Sequence, residues 1–156
     1  MLYVRGDSVF GGYLNYDGPS PFVTINGKEW YRTGDLVQAN DQGIIFFKGR
    51  LKRFVKVGGE MVSLPAIEEV LMDKYRTEEI PLPLAVEAQG TDAMPEIILF
   101  TVLDLDRNTV NTQIREAGMS PIHYIKRVVK LKEIPLLGSG KTDYQTLKKM
   151  KLEEEA

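Results

Sequence analysis

The sequence predicts an α+β protein made of two successive parts, a small β-rich one and a compact one that mixes strands and helices. The first third consists of short β-prone runs separated by Gly, Asn, Asp and Pro clusters. From Arg53 onward, apolar runs alternate with segments whose apolar residues recur at helical spacing. The pattern changes at KGRLKRF, residues 48–54. We therefore assign residues 1–51 to the first part and 52–156 to the second.

The first part is predicted to be antiparallel β structure. Its β-prone runs are LYVRG, PFVTI, WYRTGDLVQ and GIIFFKG, and ANDQG at residues 39–43 is a good hairpin turn before the last of them. These runs are too short to form a large sheet. We expect a small β subdomain.

The second part begins with RFVKVGGEMVS, which predicts a strand and a glycine-broken turn. Ser63 can then cap a helix on which Ile67, Val70 and Leu71 form one apolar stripe. PLAVEA and EIILFTVL follow as strands. The second of these is nearly all apolar, so we expect it to be central in its sheet.

Two more helices and one strand are predicted after that sheet core. Val110 and Ile114 share a helix face that Gly118 is placed to end, and RVVKL is a strand. Thr142 and Gln145 have the spacing of a capping box at the start of a last helix. The second part is thus a small α+β or α/β unit.

Composition excludes several classes of function. The formal net charge of -2 argues against a surface built for nucleic acid. With no cysteine and a single histidine, His123, neither a thiolate nucleophile nor a Cys/His metal centre is expected. No apolar run approaches the roughly 20 residues of a membrane span, and no signal-peptide pattern opens the sequence. We expect a soluble, cytosolic piece without a metal site.

The stretch PLLGSGKTDYQTLKK, residues 135–149, tests for a phosphate-binding loop. Gly140, Lys141 and Thr142 match the end of G-x-x-x-x-G-K-[ST], but the first glycine would have to stand at Pro135. Proline offers no N–H to a phosphate, so this interpretation fails. A flexible Gly-Ser-Gly loop that presents Lys141 to a partner group remains possible. On the residues alone, a solvated lysine at a helix start is favoured.

Four stretches in order resemble core motifs of the adenylate-forming enzymes, which include acyl-CoA synthetases, peptide-synthetase adenylation domains and luciferases. They are LYVRGDSVFGGYL, WYRTGDL, GRLKRFVKVGGEMVSLPAIEEVL and PLLGSGKTDYQTLKK. KRFVKVGGEMVSL and IPLLGSGKTDYQTLK are most similar to the acyl-acyl carrier protein synthetase region of bacterial bifunctional 2-acylglycerophosphoethanolamine acyltransferases. The resemblance implies the last β subdomain of an adenylating domain followed by the mobile carboxy-terminal domain. The family's phosphate loop and acyl pocket lie upstream, so we expect the fragment to be inactive alone.

The resemblance implies roles for individual residues. Lys141 matches the catalytic lysine that enters the active site during adenylation. Asp35 matches the aspartate that binds both ribose hydroxyls of ATP, and Arg50 matches an arginine near the ribose and phosphates. Lys52 occupies the hinge about which the carboxy-terminal domain rotates.

After that rotation, a loop at Gly58, Gly59 and Glu60 would face the site and let the pantetheine arm pass. The implied substrates are ATP with Mg²⁺, a fatty acid, and the phosphopantetheine thiol of acyl carrier protein, in a reaction that feeds lysophospholipid reacylation. CoA is the alternative acceptor. A location on the cytoplasmic side is implied, with attachment of the full-length enzyme to the bacterial inner membrane through upstream segments as one alternative.

A basic stretch follows Pro121 and offers a different hypothesis. Its cations are Lys126, Arg127, Lys130, Lys132, Lys141, Lys148, Lys149 and Lys151. Such a face could steer an acidic carrier protein, and a non-catalytic docking module would need it but would not need Asp35 or Lys141. A charge run is as often a solvated face. His123 is expected to be structural.

Overall fold

The computed structural model describes residues 1–91 and 94–150 and divides the chain into two compact units, Met1–Lys52 and Arg53–Ala156. Each unit forms its own sheets. The assignment of the two parts to two domains of a larger enzyme stays a prediction.

The first unit contains five short strands. They are β1 Tyr3–Val4, β2 Phe22–Ile25, β3 Lys28–Arg32, β4 Asp35–Ala39 and β5 Ile45–Arg50. An antiparallel sheet has the order β1-β3-β2, and β4 pairs antiparallel with β5. The predicted ANDQG turn joins β4 to β5, where Asn40 Oδ1 accepts hydrogen bonds from the backbone N–H groups of Gln42 and Ile44. WYRTGDLVQ is split into two strands at Gly34, whose φ of 79° ends β3.

Aromatic rings do most of the packing in the first unit. Phe10 contacts Tyr13, Phe22 and Tyr31, with ring centroids 5.0, 5.7 and 5.2 Å apart. By contrast, Phe46 and Phe47 of β5 are 49% and 65% exposed. The described residues of this unit include no fully buried apolar side chain.

The second unit contains five strands and three helices. They are β6 Phe54–Val57, β7 Glu60–Ser63, α1 Leu64–Tyr75, β8 Leu84–Thr91, β9 Met94–Thr101, α2 Arg107–Glu116, β10 Arg127–Lys130 and α3 Tyr144–Lys149. β6 and β7 form an antiparallel hairpin. A mixed sheet has the order β10-β9-β8, so the apolar run EIILFTVL supplies the central strand as predicted.

Both faces of the mixed sheet are covered, because side chains alternate along β8 and β9. On one face, β8 and β9 pack against α1 and α2, around Ile67, Leu71 and Ile114. On the other face, Phe100 packs with Leu147 of α3. The helix that follows the lysine-bearing loop is therefore docked on the opposite face from α1 and α2.

The predicted ends of the first two helices are confirmed. The Ser63 hydroxyl accepts a hydrogen bond from the Ala66 N–H and caps α1. After α2, Gly118 has a φ of 82° and its N–H donates to the Arg115 carbonyl. This left-handed glycine ends the helix where the sequence indicated.

The predicted capping box of the last helix is wrong. Asp143, rather than Thr142, is the N-cap of α3, and its carboxylate accepts from the N–H and the hydroxyl of Thr146. Thr142 is instead held in a β-bridge with Leu136, one residue before the cap. Both residue types can cap a helix, so only the bridge fixed the choice.

The glycine pair in KVGGEMV forms the turn of the β6–β7 hairpin. Gly58 has a φ of 60° and Gly59 a φ of 94°, and the flanking pair Val57 and Glu60 face each other. A two-residue hairpin with positive φ at both central positions is the type I′ geometry, which favours glycine. The sequence predicted the turn but not the second strand's pairing with the first.

We predict that Gly59→Ala lowers the free energy of unfolding by about 1–2 kcal/mol, the cost of a side chain in a left-handed conformation. An added Cβ meets no atom within 4 Å, so the cost is backbone strain alone. Gly138→Ala is the control, because Gly138 is equally open but lacks a positive φ. Equal urea denaturation curves for the two variants would contradict the turn assignment.

Candidate functional site

Asp35 and Arg50 lie side by side in the first unit, at facing positions of β4 and β5. Arg50 Nε lies 3.1 Å from Asp35 Oδ1, an ion pair in which the arginine side chain is 68% exposed and the aspartate only 20%. This contact lacks hydrogen-bond geometry, because the buried Oδ1 has no hydrogen-bond partner among the described residues. The structure thus brings together the two residues that the resemblance assigned to ATP.

The backbone around Asp35 is held by the neighbouring strand. Its N–H donates to the Thr33 hydroxyl, which in turn donates to the Leu2 carbonyl. The Leu2 N–H donates back to the Asp35 carbonyl at 2.8 Å. These bonds fix the carboxylate while the arginine stays free to turn toward a ligand.

A cleft of about 750 Å³ lies in this unit, lined by Thr33, Gly34 and Arg50 among others. Asp35 Oδ1 is buried, so the exposed fraction of that side chain belongs to its other atoms. A carboxylate with an unbonded oxygen beside an exposed guanidinium fits a ligand with hydroxyl donors and an anionic group. ATP has both, and the residues present fit its ribose end.

The predicted hinge residue Lys52 is exposed and lies in a 3₁₀ turn, Leu51–Arg53. It is the last residue of the first unit. The next residue, Arg53, is by contrast nearly buried. The hinge role itself stays a prediction.

Gly58, Gly59 and Glu60 lie at the β6–β7 turn of the second unit. The turn geometry accounts for both glycines without any role in binding. Glu60 is exposed. The pantetheine role of this loop stays a prediction.

Lys141 lies in a tight hairpin loop of the second unit and not at the tip of a flexible one. The Gly140 N–H donates to the Leu137 carbonyl, and the Leu137 N–H donates to the Lys141 carbonyl, both at 2.8 Å. Gly138 and Ser139 form the tip, and Lys141 stands in the returning arm with its side chain exposed. The Asp143 N–H donates to the Pro135 carbonyl at 2.8 Å and closes the base. The lysine therefore projects from a backbone of fixed geometry.

A buried polar network fixes α3, the helix that follows this hairpin. The Tyr144 hydroxyl donates to Glu68 Oε1 at 2.6 Å, and the other carboxylate oxygen accepts from the Val86 N–H at 2.7 Å. Arg53 Nη2 lies 3.2 Å from Glu68 Oε2 and donates to the Val86 carbonyl at 2.8 Å. The Arg53 guanidinium also stacks on the Tyr144 ring, 3.4 Å from its centroid. One cluster thus joins residue 53, α1, β8 and α3.

This cluster was not predicted from the sequence. Tyr144 was interpreted as an apolar residue, and no role was assigned to Arg53 or to the two glutamates, Glu68 and Glu87. The available signal was Glu87, a carboxylate inside the apolar run PLAVEA, since buried carboxylates need partners. Glu87 Oε2 lies 4.0 Å from Arg53 Nε, and Oε1 accepts from the Ala88 N–H.

Burial shifts two pKa values within the cluster. Desolvation raises the pKa of Glu87, and its bond from Ala88 and the Arg53 charge oppose that shift only in part. Desolvation also raises the pKa of Tyr144, and the Glu68 carboxylate adds to the rise. Tyr144 therefore keeps the proton that it donates to Glu68.

The basic stretch forms part of a surface groove. Arg107 and Arg115 of α2 and Lys126 before β10 line a cavity of about 360 Å³. No carboxylate is among its lining residues, and none of the three cations has a salt bridge within residues 1–91 and 94–150. Lys130 pairs with Asp104 at 3.1 Å. Lys151, the last cation of the predicted stretch, lies outside the described residues.

The described part of the chain contains no group of three or more potential ligands that could hold a metal ion. His123 Nδ1 lies 3.2 Å from both the hydroxyl and the carbonyl of Ser120. None of the described helices has the length and apolar content needed to cross a membrane.

Comparison with known proteins identifies the relatives of the chain. Bacitracin synthase 3 of Bacillus licheniformis is 31% identical over 156 positions, 94% of this chain and 2% of the relative. Peroxisomal OPC-8:0-CoA ligase 1 of Arabidopsis thaliana is 27% identical over 90% of this chain and 26% of the relative. The relatives are adenylate-forming enzymes. No protein-family model matches the chain.

Solved structures of adenylate-forming enzymes share the fold. The o-succinylbenzoate CoA synthetase of Bacillus subtilis matches 96% of this chain and 30% of its own, with a TM-score of 0.69 and 20% identity. A Mycobacterium tuberculosis fatty acyl CoA synthetase matches 80% of this chain and 24% of its own, with a TM-score of 0.57 and 25% identity. The predicted α+β class, a β-rich subdomain followed by a carboxy-terminal domain of the adenylate-forming type, is confirmed. The chain spans 2–3% of the peptide synthetases that it matches most strongly.

We predict that Glu87→Gln stabilises the second unit relative to the wild type as the pH rises from about 4 to about 7. The raised pKa of Glu87 means that the folded state holds this proton more tightly than the unfolded state. Stability is then lost as the pH rises from the ordinary glutamate range through the raised pKa. The neutral glutamine has no such loss.

Urea denaturation across that pH range measures the difference in unfolding free energy between variant and wild type. Glu133→Gln is the control, because it removes an exposed carboxylate. A difference for Glu87→Gln that stays flat or shrinks with rising pH would contradict the assignment.

Proposed function

We propose that this chain is the carboxy-terminal part of an ATP-dependent acid–thiol ligase. The parent enzyme joins a fatty acid to AMP and then transfers the acyl group to the phosphopantetheine thiol of acyl carrier protein, which supplies lysophospholipid reacylation. The observation that carries the proposal is the hydrogen-bonded hairpin that presents Lys141 with its side chain exposed. The relatives support the ligase class, since both peptide synthetases and a CoA ligase are among them.

Adenylation joins two anions, a carboxylate and the α-phosphate of ATP, and so requires positive charge between them. The carboxylate oxygen attacks the α-phosphorus, and the bond to pyrophosphate breaks. Lys141 can supply a cation that contacts both groups as the charge on the phosphate develops. A fixed hairpin suits this role because it restricts where that cation can go.

Asp35 and Arg50 act in the same half-reaction. Asp35 accepts hydrogen bonds from the ribose hydroxyls, and Arg50 turns from it toward the ribose and phosphates. The anchored carboxylate and the exposed guanidinium support this division of roles.

The second half-reaction replaces the adenylate by a thioester. The thiolate attacks the acyl carbon, and AMP leaves with the bonding electrons. Rotation at Lys52 exchanges Lys141 for the turn at Gly58, Gly59 and Glu60. Acyl carrier protein is acidic, and the groove lined by Arg107, Arg115 and Lys126 supports docking of an acidic acceptor. CoA is the alternative acceptor, and the fatty acyl CoA synthetase among the structural neighbours favours it.

We predict that Lys141→Ala in the full-length enzyme lowers adenylation by roughly 10²–10³-fold, the usual cost of losing one group that stabilises developing charge. Pyrophosphate exchange measures this half-reaction. Acyl transfer from preformed acyl-adenylate, assayed separately with acyl carrier protein and with CoA, should change little. The better of the two acceptors identifies the thiol.

Lys132→Ala is the matched control, since Lys132 is another exposed lysine of the same basic stretch. Its adenylation rate should stay near that of the wild type. If Lys141→Ala keeps both half-reactions, the ligase role of the hairpin is wrong and the docking module becomes the better description.

A further inference from the structure

The short helix α3 does not hold its own position. It has six residues, too few for an isolated helix to be stable in water. Leu147 is buried against the sheet, and the side-chain amide of Gln89 donates to the Leu147 and Met150 carbonyls at its carboxyl end. At its amino end, the polar contact to the rest of the unit is the Tyr144 hydroxyl on Glu68.

Lys141 stands three residues before Tyr144, so the two ends of the intervening chain are constrained separately. The hairpin bonds fix Lys141 relative to residues 135–137, and the Asp143 side chain ties the start of α3 to Thr146. Only Tyr144 then relates this assembly to Arg53 and Glu68. Its ring stacks on the Arg53 guanidinium while its hydroxyl donates to the carboxylate that pairs with Arg53.

We propose that Arg53, Glu68 and Tyr144 are positioning residues, which fix the Lys141 hairpin relative to the first residue after the predicted hinge. This inference rests on the proposed function. Arg53 follows Lys52 directly, and its side chain is 12% exposed, paired and stacked. A backbone rotation of the hinge is therefore absorbed before Arg53, and Lys141 is carried along as part of a rigid body.

The network also explains why an arginine and a tyrosine are needed together. The planar guanidinium bonds in its own plane to Glu68 and to the Val86 carbonyl, while its face covers the tyrosine ring. A lysine offers no such face. The tyrosine in turn gives the carboxylate a donor that phenylalanine lacks, although the ring contact would persist.

Amide hydrogen exchange on this chain tests the positioning role without any activity. In Tyr144→Phe, exchange at the Leu137, Gly140 and Asp143 amides should become roughly tenfold faster, because the hairpin loses its link to the unit. Exchange in β8 and β9 should stay as in the wild type. The ring is kept, so the variant still fills its site.

Tyr75→Phe is the matched control. Tyr75 is also half-buried, and its hydroxyl accepts from the Gln113 side chain at 2.6 Å, but this bond joins α1 to α2. Its loss should leave the three hairpin amides unchanged. Equal acceleration in both variants, or none in Tyr144→Phe, would overturn the proposal.

The full-length enzyme provides the second arm. Tyr144→Phe should lower kcat for pyrophosphate exchange about tenfold while KM for ATP and the rate of acyl transfer from preformed acyl-adenylate stay close to wild type. Equal losses in both half-reactions would overturn the positioning role. If exchange at the hairpin amides accelerates but adenylation is unaffected, the network does fix the hairpin, and the proposed function of Lys141 is what fails.

Discussion

The carboxylate of Glu68 is the contact on which the arrangement of the second unit depends. It lies 17% exposed between the Arg53 guanidinium, a backbone N–H of β8 and the Tyr144 hydroxyl. A carboxylate in such a site is costly unless its oxygens are bonded, and here three different elements supply the donors. The same requirement that satisfies the charge therefore determines where residue 53 and α3 lie.

The loops that the family resemblance singles out have well-defined backbones. The Gly58–Gly59 turn is set by two left-handed glycines, and the Lys141 hairpin by hydrogen bonds across its base. Neither relies on a long flexible segment. In the proposed function, movement is then confined to the backbone near Lys52, while each loop keeps its shape. Such a division suits an enzyme that must present two different loops to one site in turn.

Local features of the fold were predictable because they are encoded by neighbouring residues. Ser63 as a cap, Gly118 as a helix end and the turn at Asn40 each need only a few adjacent positions. The central position of β9 followed from its unbroken apolar run. The cap of the last helix was not decided locally, since both Thr142 and Asp143 are competent and a bridge to Leu136 settles the choice.

The polar cluster could not be predicted because its members are far apart in sequence. Arg53, Glu68 and Tyr144 are brought together only by the packing of α1 and α3 on opposite faces of one sheet. The Asp35–Arg50 contact is similar, because a register shift after Leu36 decides which residue of β5 faces the aspartate. For that contact, the family resemblance supplied what spacing alone did not.

The central claim is that Arg53 and Tyr144 act as one unit through Glu68, and a double-mutant cycle tests it most directly. Unfolding free energies would be measured by urea denaturation for Arg53→Met, Tyr144→Leu, the double variant and the wild type. We predict a coupling free energy of about 1 kcal/mol or more, within the range found for residues of one network. Additivity within about 0.3–0.5 kcal/mol, as for independent sites, would contradict the account.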